Sequence, residues 1–415
     1  MSIWSHTIRT AVSRTLKGPP CCDRKLERHA WLVACHSASS NSNGARRGLL
    51  PKYSSTTGRG RMPNPPARYS DPDLCRSEFM PSKPPRQILK DILQGTRPER
   101  PLFLPIVFSL GARVENTTLR DYLYNPTRIC KALRQIRGYL PADGVTCYFD
   151  STVEAEALGA KLQWNTNSGM PAAYWPGPGG PGTSQASLPR VGDVVEKGRI
   201  QIACEVIRRL KSAPAEDRLL MAGVTGLFSV ASHLVGHGAQ FWQCDLSSAV
   251  FEFASSLITR VATMYVESGA NVIFFVENAL PSLSADQYRQ WASLLEPASN
   301  IVRFYGALPV LLLADAGSAA AASAPLFTSD WDCVLCPNVR DLRGRIAPPL
   351  NGLTGMASPL ELFNGGALEA ATFITHTREL LSAFQPVTVT TAGDLPMAVD
   401  LKVASRMLSG LRQLF

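Results

Sequence analysis

The stretch Gly144-Val-Thr-Cys-Tyr-Phe-Asp150-Ser-Thr-Val-Glu-Ala-Glu-Ala-Leu-Gly159 decides the fold. Val145 to Phe149 is a short apolar run of β-branched and aromatic residues, which predicts a strand, and a lone carboxylate, Asp150, stands at its carboxyl end. Asp150 then has two readings. It can cap the helix that follows, or it can sit at the mouth of a barrel, where such folds keep their chemistry.

The same alternation continues on both sides of this stretch. Leu102 to Phe108 reads as a strand, and Leu119 to Tyr139 as a helix that Pro126 breaks into two pieces. After a long Gly/Pro loop from Asn165 to Pro189 comes a helix from about Arg199 to Lys211. Further strands are predicted at Leu219 to Val224, Val272 to Val276, Val310 to Ala314, Cys333 to Leu335, Ile346 to Leu350 and Val387 to Thr390, each followed by a helical stretch. About eight βα units over residues 86–415 predict an α/β protein with a single (β/α)8 TIM-type barrel. An open doubly wound sheet is the alternative, but no G-x-G-x-x-G follows the first strand.

In a barrel the chemistry is sought just after each strand. That position holds Arg113 after the first strand, Asp150 after the second and His233 after the third. Glu277 and Asn278 follow the fourth, Asp315 the fifth, Arg340 the sixth and Asp394 the eighth. Strand ends also favour Asp and Asn as turn residues, so part of this set is expected to be structural.

Charge divides the chain. Residues 1–100 hold 18 Lys and Arg against 7 Asp and Glu, leaving 24 against 26 in the remainder. The net +9 therefore belongs to the leader, and the slightly acidic core argues against nucleic-acid binding. Residues 1–80 are Arg- and Ser-rich and lack hydrophobic periodicity, so they are expected to be disordered. Their composition matches an organellar transit peptide and a mitochondrial location. A disordered tail on a cytoplasmic protein, or an extension ahead of a start at Met62 or Met80, is the other reading. No run of about 18 apolar residues occurs, so no membrane span is expected.

The ten cysteines are mostly single and set in apolar segments, as reduced core thiols are. The one C-x-x-C, Cys333 to Cys336, has no second pair or nearby His to complete a zinc site. His233 and His237 share one face of a helix at i, i+4, but two ligands do not make a metal site, and none is expected. An imidazole suits proton transfer near neutrality, so His233 is read as a general acid or base, with a buried structural histidine as the plain alternative. The segment Pro176 to Gly182 lacks the Lys-Ser/Thr ending of a phosphate loop. It is read as a surface loop placed to act as a lid.

Several segments resemble the uroporphyrinogen decarboxylase superfamily, which includes the corrinoid methyltransferases. They are Arg86 to Pro101, Ala112 to Pro126, and Phe149-Asp150 through Ala157-Leu158-Gly159. Gly226-Leu-Phe-Ser-Val-Ala-Ser232 is similar to the family's G-P-F-T-L-A-S, and Tyr265-Val-Glu-Ser-Gly-Ala-Asn271 to its Y-x-x-x-G-A-D. The resemblance runs from about residue 86 to the end and implies the barrel fold. It also implies a cofactor-independent decarboxylase in which Asp150 stabilises a cationic ring intermediate.

The departures narrow that implication. Of the arginine pair in the family's M-R-Q-A-G-R, at most Arg113 remains, His233 stands where the family has tyrosine, and Asn278 replaces a serine. Asp394 falls near the late histidine. An octacarboxylate needs more cationic partners than this, which predicts a carboxy-lyase acting on a smaller aromatic or pyrrole-like acid rather than on uroporphyrinogen. On that reading Asp150 and His233 are catalytic, while Arg113, Asn278, Glu277, Asp315, Arg340 and Asp394 bind the substrate. The methyltransferase branch holds zinc with an H-x-C after strand five and a cysteine after strand eight. Here those places read Ala314-Asp315-Ala316 and Gly393-Asp394, so a methyltransferase without the usual zinc ligands is the second reading. A catalytically silent barrel serving as a scaffold is the third. Family members often dimerise, which implies a homodimer.

Overall fold

Eight short parallel strands set the frame in a computed structural model that describes residues 83–164, 169–176, 180–183, 188–212, 217–236, 245–278, 281, 283–314, 334–337, 355–358, 360, 378 and 385–415. The described strands are β1 (Leu102–Leu104), β2 (Gly144–Tyr148), β3 (Lys161–Gln163), β4 (Ala172–Tyr174), β5 (Leu219–Thr225), β6 (Val272–Glu277), β7 (Leu308–Leu313), β8 (Val334–Pro337), β9 (Gly355–Ser358) and β10 (Thr388–Thr391). The helices are α1 (Pro85–Leu93), α2 (Leu110–Val114), α3 (Leu119–Leu123), α4 (Pro126–Tyr139), α5 (Val153–Ala157), α6 (Val191–Val195), α7 (Arg199–Lys211), α8 (Leu227–Val235), α9 (Ala249–Ser268), α10 (Ala285–Phe304) and α11 (Leu401–Arg412).

Parallel pairing runs β2-β5-β6-β7-β8 in one arc and β1-β10-β9 in the other. The arcs meet twice. β8 lies beside β9, and β1 is stitched to β2 where the Asp143 amide donates to the Phe103 carbonyl at 2.8 Å and the Phe103 amide donates to the Asp143 carboxylate at 2.8 Å. The circle therefore closes as a (β/α)8 barrel, with β3 and β4 forming a separate antiparallel hairpin.

Local chemistry explains most boundaries. Asn125 caps α4 by accepting from the amides of Thr127 and Arg128, and Pro126 occupies the first helical position, where its missing N–H costs nothing. The break expected at Pro126 is thus the start of a helix. α10 opens with a reciprocal Ser284/Gln287 capping box. β5, β6 and β7 are buried almost throughout, as strands covered on both faces must be, and α9 and α10 pack along them.

Three expectations are corrected. β1 ends at Leu104 rather than Phe108, because the amides of Ile106, Val107 and Phe108 leave the ladder for Thr391 Oγ1, Thr146 Oγ1 and the Asp394 carboxylate. The loop from Asn165 contains strand β4, which pairs Gln163 with Ala172 through Lys161 with Tyr174. The seventh barrel place belongs to Gly355–Ser358, in register with β10, whereas Ile346 to Leu350 lies outside the described residues. The leader, Cys333, Asp315, Arg340 and His237 also lie outside them. Among the described residues no helix is long and apolar enough to cross a membrane.

Candidate active site

Asp150 is buried two residues past the end of β2, with each carboxylate oxygen occupied. Oδ1 accepts from the Thr152 amide and the Thr152 hydroxyl, both at 2.8 Å, a turn in which aspartate binds the backbone two residues on. Oδ2 pairs with the guanidinium of Arg199, whose side chain has no exposed surface. Arg199 also donates to Glu156 Oε2 at 2.6 Å and to Thr152 Oγ1 at 2.9 Å. The Tyr124 hydroxyl donates to the other Glu156 oxygen, and the Tyr124 ring lies 5.5 Å from the guanidinium carbon. Burial opposes the arginine's charge, but the Asp150 and Glu156 carboxylates outweigh it and raise its pKa further. Asp150 is therefore not a lone anion.

Arg199 was not singled out in the sequence reading, although a signal for it existed. It is the first residue of α7, where a cation opposes the helix dipole and so calls for a tertiary partner. Gly198 before it holds φ 62°, a conformation that brings the backbone past Glu156.

The other acids at the mouth are turned onto the neighbouring unit. Glu277, at the end of β6, accepts from the amides of Phe228 (2.9 Å) and Ser229 (3.1 Å) and from the Ser229 hydroxyl (2.9 Å) at the start of α8. Burial pushes its carboxyl to about 7, with these bonds pulling the other way. Asp394, after β10, accepts from the amides of Phe108 (2.7 Å) and Ser109 (2.9 Å) ahead of α2. Burial raises it to about 7 as well, and the charge of Asp150 adds to the rise. Glu154 accepts from the amide and hydroxyl of Thr225 at the end of β5, and burial raises it too. Such acids satisfy amides that the exits of neighbouring strands leave without ladder partners.

The remaining sites of the sequence reading are dispersed. Arg113 is half exposed on α2, where it donates to the Ala398 carbonyl at 2.8 Å and faces Asp400 at 3.6 Å. Its guanidinium thus engages the segment ahead of α11. Asn278 is exposed, and its amide donates to Ser229 Oγ at 3.0 Å. His233 lies six residues along α8 from its first residue, about 9 Å from the end that Glu277 caps. Its carbonyl accepts from the Trp175 indole at 2.6 Å. The buried backbone of Gly180 passes over Leu234 and His233 so closely that a β-carbon there would meet the Leu234 carbonyl oxygen at 2.3 Å. The described part of the Pro176 to Gly182 segment is thus packed on α8. Asp150 and Asp394 interact electrostatically, and Glu277 and Asn278 share Ser229.

A family model described as uroporphyrinogen decarboxylase matches residues 84–366. The chain belongs to the uroporphyrinogen decarboxylase family. Among solved structures, this family member superimposes on a methyltransferase from Methanosarcina mazei with a TM-score of 0.65 and 17% identity, covering 79% of this chain and 98% of that one. A B12-independent methionine synthase from Shewanella sp. W3-18-1, in complex with selenomethionine, gives a TM-score of 0.41 at 11% identity over 71% and 87% of the two chains. No curated protein matches. The first likeness supports the barrel fold, and the family is one of enzymes that includes decarboxylases and methyltransferases.

Among the described residues, no donor set fits the zinc of the methyltransferase branch. Ala314 offers no ligand, Asp394 is committed to two amides, and among the described residues no group of three His, Cys, Asp or Glu could hold a metal.

Proposed function

We propose that this member of the uroporphyrinogen decarboxylase family is a methyltransferase-type enzyme, working without zinc, rather than a carboxy-lyase. The pairing of Asp150 with buried Arg199 carries the reading. Decarboxylation through a cationic ring needs an uncompensated anion beside the ring, and a guanidinium against Asp150 cancels most of that field. Methyl transfer has no such need. A methyl group passes from donor to nucleophile with its bonding pair left on the donor, and the nucleophile's proton goes to a base. Glu277, with its carboxyl near 7 and the Ser229 hydroxyl donating to it, is suited to receive that proton through Ser229. The likeness to the Methanosarcina mazei methyltransferase over 98% of that chain agrees with this reading.

The test supplies the full chain with methylcobalamin and, separately, 2-mercaptoethanol or imidazole as acceptor, and follows loss of the cobalt–carbon absorbance and the methylated product. Turnover that falls at least about tenfold in Glu277→Gln, with loss of its acid limb near pH 7, is expected. Carbon dioxide release from a pyrrole carboxylic acid, with no methyl transfer, would restore the decarboxylase. Absence of both, with Asp150→Asn leaving partner binding intact, would leave the scaffold.

A further inference from the structure

The pole of the barrel opposite the mouth carries a cavity of about 350 Å³. It lies where the chain enters β1 and β10, lined by Arg97 to Pro101, Gln385 and Pro386, together with Arg378, Leu414 and Phe415. Its volume falls in the range of small-molecule sites.

The charges on its wall are poorly compensated. Among the described residues, Arg378 makes no hydrogen bond or ion pair, and Arg97 uses one nitrogen, donating to the Gln385 carbonyl at 2.8 Å. Arg100 turns NH1 and NH2 to Asp143 (2.6 and 3.2 Å), while its buried Nε has no acceptor there. Asp143 is shared with Arg412 at 2.8 Å, so one carboxylate serves two guanidinium groups. Glu99, an acid on the wall, accepts from the Lys83 amide at 2.6 Å. Gln385 holds φ 45°, a left-handed conformation that costs a non-glycine residue energy, and the Arg97 bond fixes it there. Leu414 and Phe415 add apolar surface to the lining. The Phe415 ring packs edge-on against Phe103 at 5.6 Å and lies under Arg412.

We propose that this cavity binds a small organic oxyanion, a phosphate or carboxylate carried on a ring or short apolar body. The oxyanion is gripped by Arg97 and Arg378, whose guanidinium forks match its geometry, and the body rests on Leu414 and Phe415. The site is independent of the mouth, because Arg97 to Pro101 and Gln385 to Pro386 precede β1 and β10, and Leu414 and Phe415 follow α11, whereas the mouth residues follow the strands.

Calorimetric titration of the full chain with phenyl phosphate, benzoate and inorganic phosphate tests this. One equivalent of phenyl phosphate or benzoate should bind, the tighter of the two identifying the oxyanion, with inorganic phosphate about tenfold weaker or more for lack of the ring. Arg97→Gln and Arg378→Gln should each weaken the ring-bearing ligand about tenfold. Phe415→Ala should weaken it while leaving inorganic phosphate unchanged. Asp150→Asn, at the other pole, should change nothing. The proposal falls if no saturable binding occurs, if the two arginine substitutions together leave affinity intact, or if inorganic phosphate binds as tightly as phenyl phosphate, the sign of a bare ion. Unchanged melting curves for the arginine variants separate loss of the site from loss of the fold.

Discussion

The two ends of the barrel use carboxylates in opposite ways. At the amino-terminal pole Asp143 is gripped by Arg100 and Arg412, and although burial opposes its charge, those bonds and the Phe103 amide hold its pKa below the ordinary value. At the mouth, Glu277 and Asp394 accept from neutral amides and a hydroxyl, which do not offset burial, and both rise to about 7. Bonds to a charged partner are roughly twice as strong as neutral ones, which is why the same residue type is locked as an anion at one end and poised near neutrality at the other. Asp150, at the mouth, follows the pole's pattern through Arg199, which also holds Glu156. A carboxyl that can exchange protons at neutral pH is useful to chemistry, whereas a locked one is useful to closure of the β1/β2 seam.

This contrast can be broken at several points. The largest loss is expected from Arg199→Met, which strands Asp150 as a buried charge and should cost about 3–5 kcal/mol, with most of it recovered when Asp150→Asn is added. Urea unfolding measures both variants, and a cost below about 1 kcal/mol would show that the pair is not a unit. Asp143→Ala should cost somewhat less, about 2–4 kcal/mol, because the Arg412 side chain keeps 26% of its surface and water can serve it.

Proton linkage separates the ends next. Glu277 and Asp394 have folded values above their ordinary ones, so between about pH 4 and 7 the folded protein holds protons that the unfolded chain has released. Their contribution to stability is full below that window and is lost as pH rises through 7. Asp143, being lowered, contributes above its ordinary value of 3.8 and loses that contribution as pH falls below it. The melting temperature should therefore decline from about pH 5 to 8, and the decline should flatten in Glu277→Gln. A rise over that interval would refute the poised carboxyls. The smallest effect is expected at Gly226, where an added β-carbon would meet the Glu277 side chain at 2.4 Å. Gly226→Ala should cost about 1–3 kcal/mol in the same unfolding measurement and should loosen the carboxyl from α8.

Much of this was legible in the chain itself. The βα alternation, the strand before Asp150, the split at Pro126 and the acids at the strand exits follow from local pattern, because strand burial and helix capping act within a few residues. Gly355-Met-Ala-Ser358 has little strand propensity of its own, yet it takes the seventh barrel place, since register with β10 outranks local propensity. Arg199 was missed for the same reason in another form. It stands 49 positions from Asp150, and no local period reports such a pair.

The sequence alone determined that this chain is a β/α barrel with acids at its mouth, because apolar periodicity and turn chemistry are written residue by residue. Tertiary structure decided what those acids do. Ring closure brings the amides at one strand's exit against the carboxylate of its neighbour, burial sets their proton affinity, and one arginine from a helix far along the chain turns Asp150 from a free anion into half of an ion pair.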